Sequence, residues 1–112
     1  MTAWSIEFYV DARGRSPVRD FIDSLPLREQ AAVYHDLDLL VEFGVRLGMP
    51  HARPVDDLWE LRSGPARVFY VAYTGRRFLL LHGYHKKGQK ASRRDIETAK
   101  RRLADFIQRD KD

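Results

Sequence analysis

The sequence contains no cysteine, which excludes a disulfide scaffold and every thiolate metal site. Its apolar runs are short, and none approaches the roughly 18 residues that a membrane-spanning helix needs. Met1 to Val10 carries Glu7 and lacks a basic stretch followed by an apolar one, so it does not read as a secretory leader, and the expected location is the cytoplasm. There is no phosphate-cradling glycine loop, no dinucleotide fingerprint and no internal repeat. The four histidines, His35, His51, His82 and His85, lack zinc-type spacing. His82 and His85 stand three apart on an expected strand, which sends them to opposite faces. Neither a metal nor a cofactor is expected.

What is present suits one folded domain spanning residues 1–112. Hydrophobic residues make up 44% of the chain and charged residues 32%, far from the composition of a disordered tail. A chain of this length buries about two thirds of its unfolded surface. The net charge of +4 conceals a division. Residues 1–56 carry 6 basic and 9 acidic side chains, a balance of −3, whereas residues 57–112 carry 14 and 7, a balance of +7. One part of the surface is therefore suited to a polyanion. The plainer alternative is a soluble domain with a basic face.

Hydrophobic periodicity outlines the fold. Trp4, Ile6, Phe8 and Val10 alternate with Ser5, Glu7 and Tyr9, the pattern of a half-buried strand. Ser16-Pro17 opens a short helix with proline at its first position, and Val18, Phe21, Ile22 and Leu25 form its apolar face. Pro26 interrupts it. A longer helix is expected from Leu27 to Phe43, with Val33, Leu37, Leu40 and Val41 inward, Arg28, Asp36, Asp38 and Glu42 mostly elsewhere, and Gly44 as its stop. Gly48, Pro50 and Pro54 predict a loop as far as Val55. Three strands follow, Leu58 to Arg62, Arg67 to Thr74 and Phe78 to His85, joined so closely that they form an antiparallel meander. Asp56-Asp57 reads as a solvated turn. A final helix runs from Ser92 to Gln108, with Ser92 and Asp95 resembling a capping box. The expected fold is α+β: a small antiparallel-rich sheet, made of the N-terminal strand and the meander, with two N-terminal helices and a C-terminal helix on one face.

The densest chemical signal is the run Tyr84-His85-Lys86-Lys87-Gly88-Gln89-Lys90-Ala91-Ser92-Arg93-Arg94, with five basic residues and no acidic one. It lies between the last strand and the last helix. Cations at a helix N-terminus oppose the helix dipole, and a bound phosphate would relieve the conflict. A solvated basic turn is the simpler reading. Arg62 and Arg67 flank the Ser63 to Ala66 turn and should lie close together. Arginine binds phosphate in a planar fork and stays charged. With Lys86 and Lys87 nearby, such a cluster could stabilise the charge of a phosphoryl-transfer transition state. His85 could move protons beside it. Ordinary edge charges, one paired with Glu60, are the alternative.

Several segments together resemble the RelE/ParE toxin superfamily of bacterial toxin–antitoxin systems, in its HigB-like, phage-derived branch. They are Leu47-Gly48-Met49-Pro50, Leu58-Trp59-Glu60-Leu61-Arg62, Arg67-Val68-Phe69-Tyr70, Leu81-His82-Gly83-Tyr84-His85-Lys86-Lys87-Gly88-Gln89-Lys90 and Asp95-Ile96-Glu97-Thr98-Ala99-Lys100-Arg101. The resemblance runs nearly end to end. It implies a RelE-like fold and a type II toxin that stops translation by cutting mRNA on the ribosome without a metal. In that chemistry the 2′-hydroxyl attacks the adjacent phosphate and leaves a cyclic phosphate and a 5′-hydroxyl.

The resemblance places Arg67 and Lys87 at the phosphate, with Arg62 as a third cation. Lys86, Lys90, Arg93 and Arg94 are then RNA-binding. It also implies a cognate antitoxin, a small helix-turn-helix DNA-binding protein through which the complex would reach operator DNA. The chain departs from RelE-type nucleases at Leu58 and Glu60, where those enzymes carry lysines. It also lacks a tyrosine after the basic turn, near Arg93. The general base is unassigned, with His85 and Glu60 as candidates. Two alternatives stand beside the nuclease: a ParE-like inhibitor of DNA gyrase, and a catalytically silent RNA-binding module.

Overall fold

The structure, a computed structural model, describes residues 4–86 and 91–111. Along the chain run β1 (Ser5–Phe8), α1 (Pro17–Asp23), α2 (Leu27–Phe43), a short 3-10 turn (Gly44–Arg46), β2 (Ala52–Val55), β3 (Leu58–Ser63), β4 (Ala66–Tyr73), β5 (Arg77–His85) and α3 (Arg93–Lys111). The five strands form one sheet in the order β1-β5-β4-β3-β2. β2 to β5 pair antiparallel, and β1 lies parallel to β5 at the far edge.

The α+β fold with its meander is as expected, and two features correct the sequence reading. The stretch taken as a loop up to Val55 contains a fifth strand. Pro54 has no N–H for a ladder bond, but β2 is an edge strand, where proline is tolerated. The helices, expected on one face, cover both. α1 and α2 bury Val18, Ile22, Val33, Leu37 and Leu40 against Leu61, Val68, Phe78 and Leu80. On the other face Ile96, Ala99, Leu103 and Phe106 of α3 meet Leu58, Phe69, Leu79 and Leu81. A sheet buried on both faces has apolar residues at successive positions, which is why β4 and β5 show no clear alternation.

Local chemistry sets the element ends. Gly44 closes α2 at φ +62°, and a Cβ there would come within 2.7 Å of the Trp4 indole nitrogen. Gly83 in β5 lies under the Phe21 ring, which a Cβ would meet at 2.3 Å; α1 can pack this closely on the sheet only over a glycine. Ser92 caps α3, its hydroxyl accepting the Asp95 N–H at 3.1 Å and donating to the Asp95 carboxylate at 2.5 Å. Asp36, read as lying off the apolar stripe, is in fact buried under the sheet and accepts the Ser63 hydroxyl at 2.5 Å. Asp56, read as solvated, accepts Lys100 of α3 at 2.5 Å.

Candidate functional site

Strand alternation sends Leu58, Glu60 and Arg62 of β3 to the α3 face of the sheet, together with Arg67 and Phe69 of β4. Register completes the group. Arg53 of β2 stands opposite Glu60, Arg62 opposite Arg67, and Arg67 opposite Tyr84 of β5. Leu58 and Phe69 are covered by α3. The polar positions further along the strands form a connected cluster.

Glu60 is its hub. Only 1% of it is exposed, and a buried carboxylate needs partners to stay charged. Arg53 Nε donates to Oε1 at 3.1 Å, the Tyr84 hydroxyl donates to Oε2, and Arg67 Nε lies 3.8 Å from Oε1. Burial, followed by the bond to the Glu60 carboxylate, pushes the Tyr84 hydroxyl well above the usual phenol range, so it stays protonated. Burial also pulls Arg67 below the ordinary guanidinium value, while Glu60 opposes that shift. Arg67 Nη1 donates to the carbonyls of Gly64 and, at 3.1 Å, of Ala66. The guanidinium is thereby fixed in orientation.

Arg62 has a weaker hold. Its backbone N–H donates to the His51 carbonyl at 2.8 Å, and Nη1 faces the Met49 thioether sulfur at 3.7 Å. Arg62 and Arg67 line one shallow depression of about 280 Å³ with Pro50, His51 and Gly64. Like charges directly opposite on neighbouring strands repel. Among the described residues, the buried Nε of each arginine has no hydrogen-bond partner. Both guanidinium groups border this hollow, and their charge and planar geometry are of the kind that suits an oxyanion.

The other sequence-predicted residues are distributed as follows. Lys86 follows β5, and its N–H donates to the Pro65 carbonyl at 2.8 Å, which ties the start of the basic run to the β3–β4 turn beside Arg62 and Arg67. Arg93 leans toward Asp56 at 3.8 Å, and Arg94 is exposed at the start of α3. Lys87 and Lys90 lie outside the described residues. His85 is on the opposite face of the sheet, where its Nε2 meets Glu29 of α2 at 2.8 Å. It does not join the arginine pair.

Sequence reading missed Arg53, the role of Tyr84, and His51 as part of the depression. With β2 hidden in an expected loop, nothing aligned Arg53 with Glu60. It also missed a second buried polar group. His82 Nε2 meets Asp95 Oδ1 at 2.7 Å, and Arg102 Nη1 approaches Nδ1 at 3.1 Å while also donating to the Leu81 carbonyl. Arg102 can only donate, so Nδ1 accepts and the ring proton sits on Nε2. Burial, with the Arg102 charge beside it, holds His82 below the ordinary imidazole value. Burial would raise Asp95, but the bonds from Ser92 and His82 outweigh it and hold its carboxyl below the usual range.

Both shifts make the unfolded chain bind protons first as pH falls, so both remove stability on acidification. The His82 contribution is lost from about pH 6.5 down to its folded value, and the Asp95 contribution below about pH 3.8. His82→Gln is therefore expected to flatten the first limb of urea stability against pH and to keep the second. An unchanged first limb would show that His82 does not titrate in this window.

The family model described as "Phage derived protein Gp49-like" matches residues 20–104. No curated protein matches the sequence. A chain in the crystal structure of the toxin-antitoxin complex RelBE2 from Mycobacterium tuberculosis is similar in fold. Its TM-score is 0.54 at 22% identity, over 76% of this chain and 100% of that one.

Proposed function

The chain belongs to the Gp49-like family of phage-derived proteins, and from that membership and its arginine-lined depression we propose that it is a type II toxin that cuts mRNA on the ribosome. The RelE-like fold supports the toxin reading, because the similar solved chain comes from a toxin-antitoxin complex. The observation that supports the nuclease reading is the facing pair Arg62 and Arg67, both of which line one depression. An inhibitor that works by surface contact alone has no need of two arginines set side by side along one depression.

In this reading an RNA phosphate occupies the depression. Both arginines bind it, and their charge counts for more as negative charge builds on the phosphorus oxygens in the transition state. RNA brings its own nucleophile, the 2′-hydroxyl, so the protein need supply only position, charge and a route for the proton. Lys87 would add a further cation. Lys86, Lys90, Arg93 and Arg94 would hold the flanking backbone, a contribution that weakens with salt. The partner is a cognate antitoxin of the small helix-turn-helix kind that the HigB-like branch implies, and the complex would reach operator DNA through it.

Inducing the chain in cells and mapping mRNA 5′ ends tests this. New 5′-hydroxyl ends within open reading frames, each matched by a cyclic phosphate upstream, are the expected result. Growth arrest with intact mRNA and broken DNA would overturn it in favour of gyrase inhibition.

A further inference from the structure

The cleavage chemistry proposed above needs a group to take the 2′-hydroxyl proton. Glu60 is shut away from solvent and bonded to Arg53 and Tyr84. His85 lies on the other face of the sheet. Tyr84 holds its proton toward Glu60. His51 stands differently. It lines the same depression as Arg62 and Arg67, and its carbonyl accepts the Arg62 N–H, which places the residue beside Arg62. Its side chain is 41% exposed and so open to a substrate. Behind it lies a carboxylate: His51 Nδ1 is 3.6 Å from Asp36 Oδ1, and the other oxygen of Asp36 is held by the Ser63 hydroxyl.

That arrangement has a direction. Asp36 stands on the Nδ1 side of the ring, and Nε2 is the nitrogen on its other side. A carboxylate behind a histidine also stabilises the imidazolium that forms when the ring takes a proton. Asp36 cannot turn away, because it is buried on α2 and tied to β3 through Ser63. Asp36 is the charged group at the ring, and Arg62 and Arg67 line the same depression.

We propose that His51 is the general base of this site, with Asp36 as its positioning residue. The inference rests on the nuclease reading. In the step, Nε2 of neutral His51 takes the 2′-hydroxyl proton as the O2′–P bond forms. The P–O5′ bond breaks, and the 5′ oxygen leaves with the electron pair and takes a proton from water. The products are a 2′,3′-cyclic phosphate and a 5′-hydroxyl. The imidazolium then gives its proton to the hydroxide so formed, and the balance closes without any other reactant.

The test uses the full chain with programmed ribosomes under single-turnover conditions. The proteins compared are wild type, His51→Gln, His51→Ala, Asp36→Asn and, as a control on the exposed outer side of α2, His35→Gln. His51→Gln is expected to slow cleavage by roughly 10²- to 10⁴-fold, the usual worth of a positioned base. Binding of an RNA with a 2′-deoxy nucleotide at the scissile position should be unchanged. Added imidazole should restore part of the rate to His51→Ala, which a merely structural histidine would not permit. Asp36→Asn should lower the rate and leave RNA binding unchanged, because the ring loses the group that positions it, and His35→Gln should behave as wild type. A His51→Gln protein with the wild-type rate would overturn the assignment. So would one whose loss of rate is matched by loss of RNA binding and is not rescued by imidazole. Wild-type protein that cuts no mRNA at all would instead sink the nuclease reading from which the assignment starts.

Discussion

Arg67→Ala is expected to abolish growth arrest and to lower the mRNA cleavage rate by about 10²- to 10³-fold, the loss typical of removing one preorganised charge-stabilising donor. The expectation rests on how this guanidinium is held. It is 6% exposed, with Nη1 pinned to the Gly64 and Ala66 carbonyls and Nε facing the Glu60 carboxylate. In the proposed reaction a side chain fixed this firmly would meet the phosphate without first having to order itself, which is the condition under which an arginine stabilises a transition state most. Arg67→Lys separates charge from geometry. It keeps the cation but has no planar fork, so most of the rate should still be lost. Thermal denaturation of each variant distinguishes a lost catalytic group from a lost fold. A folded Arg67→Ala protein that still arrests growth would remove Arg67 from the site.

The two arginines were legible in the sequence because they flank a recognisable turn, and a two-strand hairpin needs no further information to place them opposite each other. The boundaries of α2 were legible for a similar reason: its stripe is local, and Pro26 and Gly44 mark its ends. What escaped reading depends on contacts between distant segments. β2 is short and contains Pro54, so its local signal is that of a loop, and only its position at the sheet edge allows the strand. With β2 unread, Arg53 and His51 had no place beside Glu60 and Arg62. The partners of Glu60 come from β2, β4 and β5 and meet only through register. Burial of Asp36 depends on Ser63, 27 residues away. The second covered face of the sheet was concealed by strength of signal rather than weakness, because strands apolar on both sides do not say which side a helix takes.

Glu60→Ala is expected to destabilise the fold by about 3–5 kcal/mol, the usual cost of breaking a buried ion pair by removing one partner. In a domain of this size that is a fall in Tm of roughly 10 °C or more. The reason is electrostatic. Glu60 is the carboxylate against which Arg53 and Arg67 are both set. Without it Arg67, buried and already disfavoured as a cation, keeps Arg62 and Arg53 as its charged neighbours. Tyr84 would also lose the acceptor of its hydroxyl. Glu60→Gln preserves shape and an acceptor oxygen but not the charge, so its loss should be smaller than that of alanine. If the depression is an oxyanion site, added inorganic phosphate supplies part of the missing negative charge. Phosphate should then raise the Tm of Glu60→Gln more than that of wild type, since a ligand that binds only the folded state stabilises it more the more tightly it binds. A Glu60→Ala protein that melts with wild type would show that the cluster does not depend on this carboxylate. Equal phosphate shifts in both proteins would show that the anion binds elsewhere than between Arg62 and Arg67.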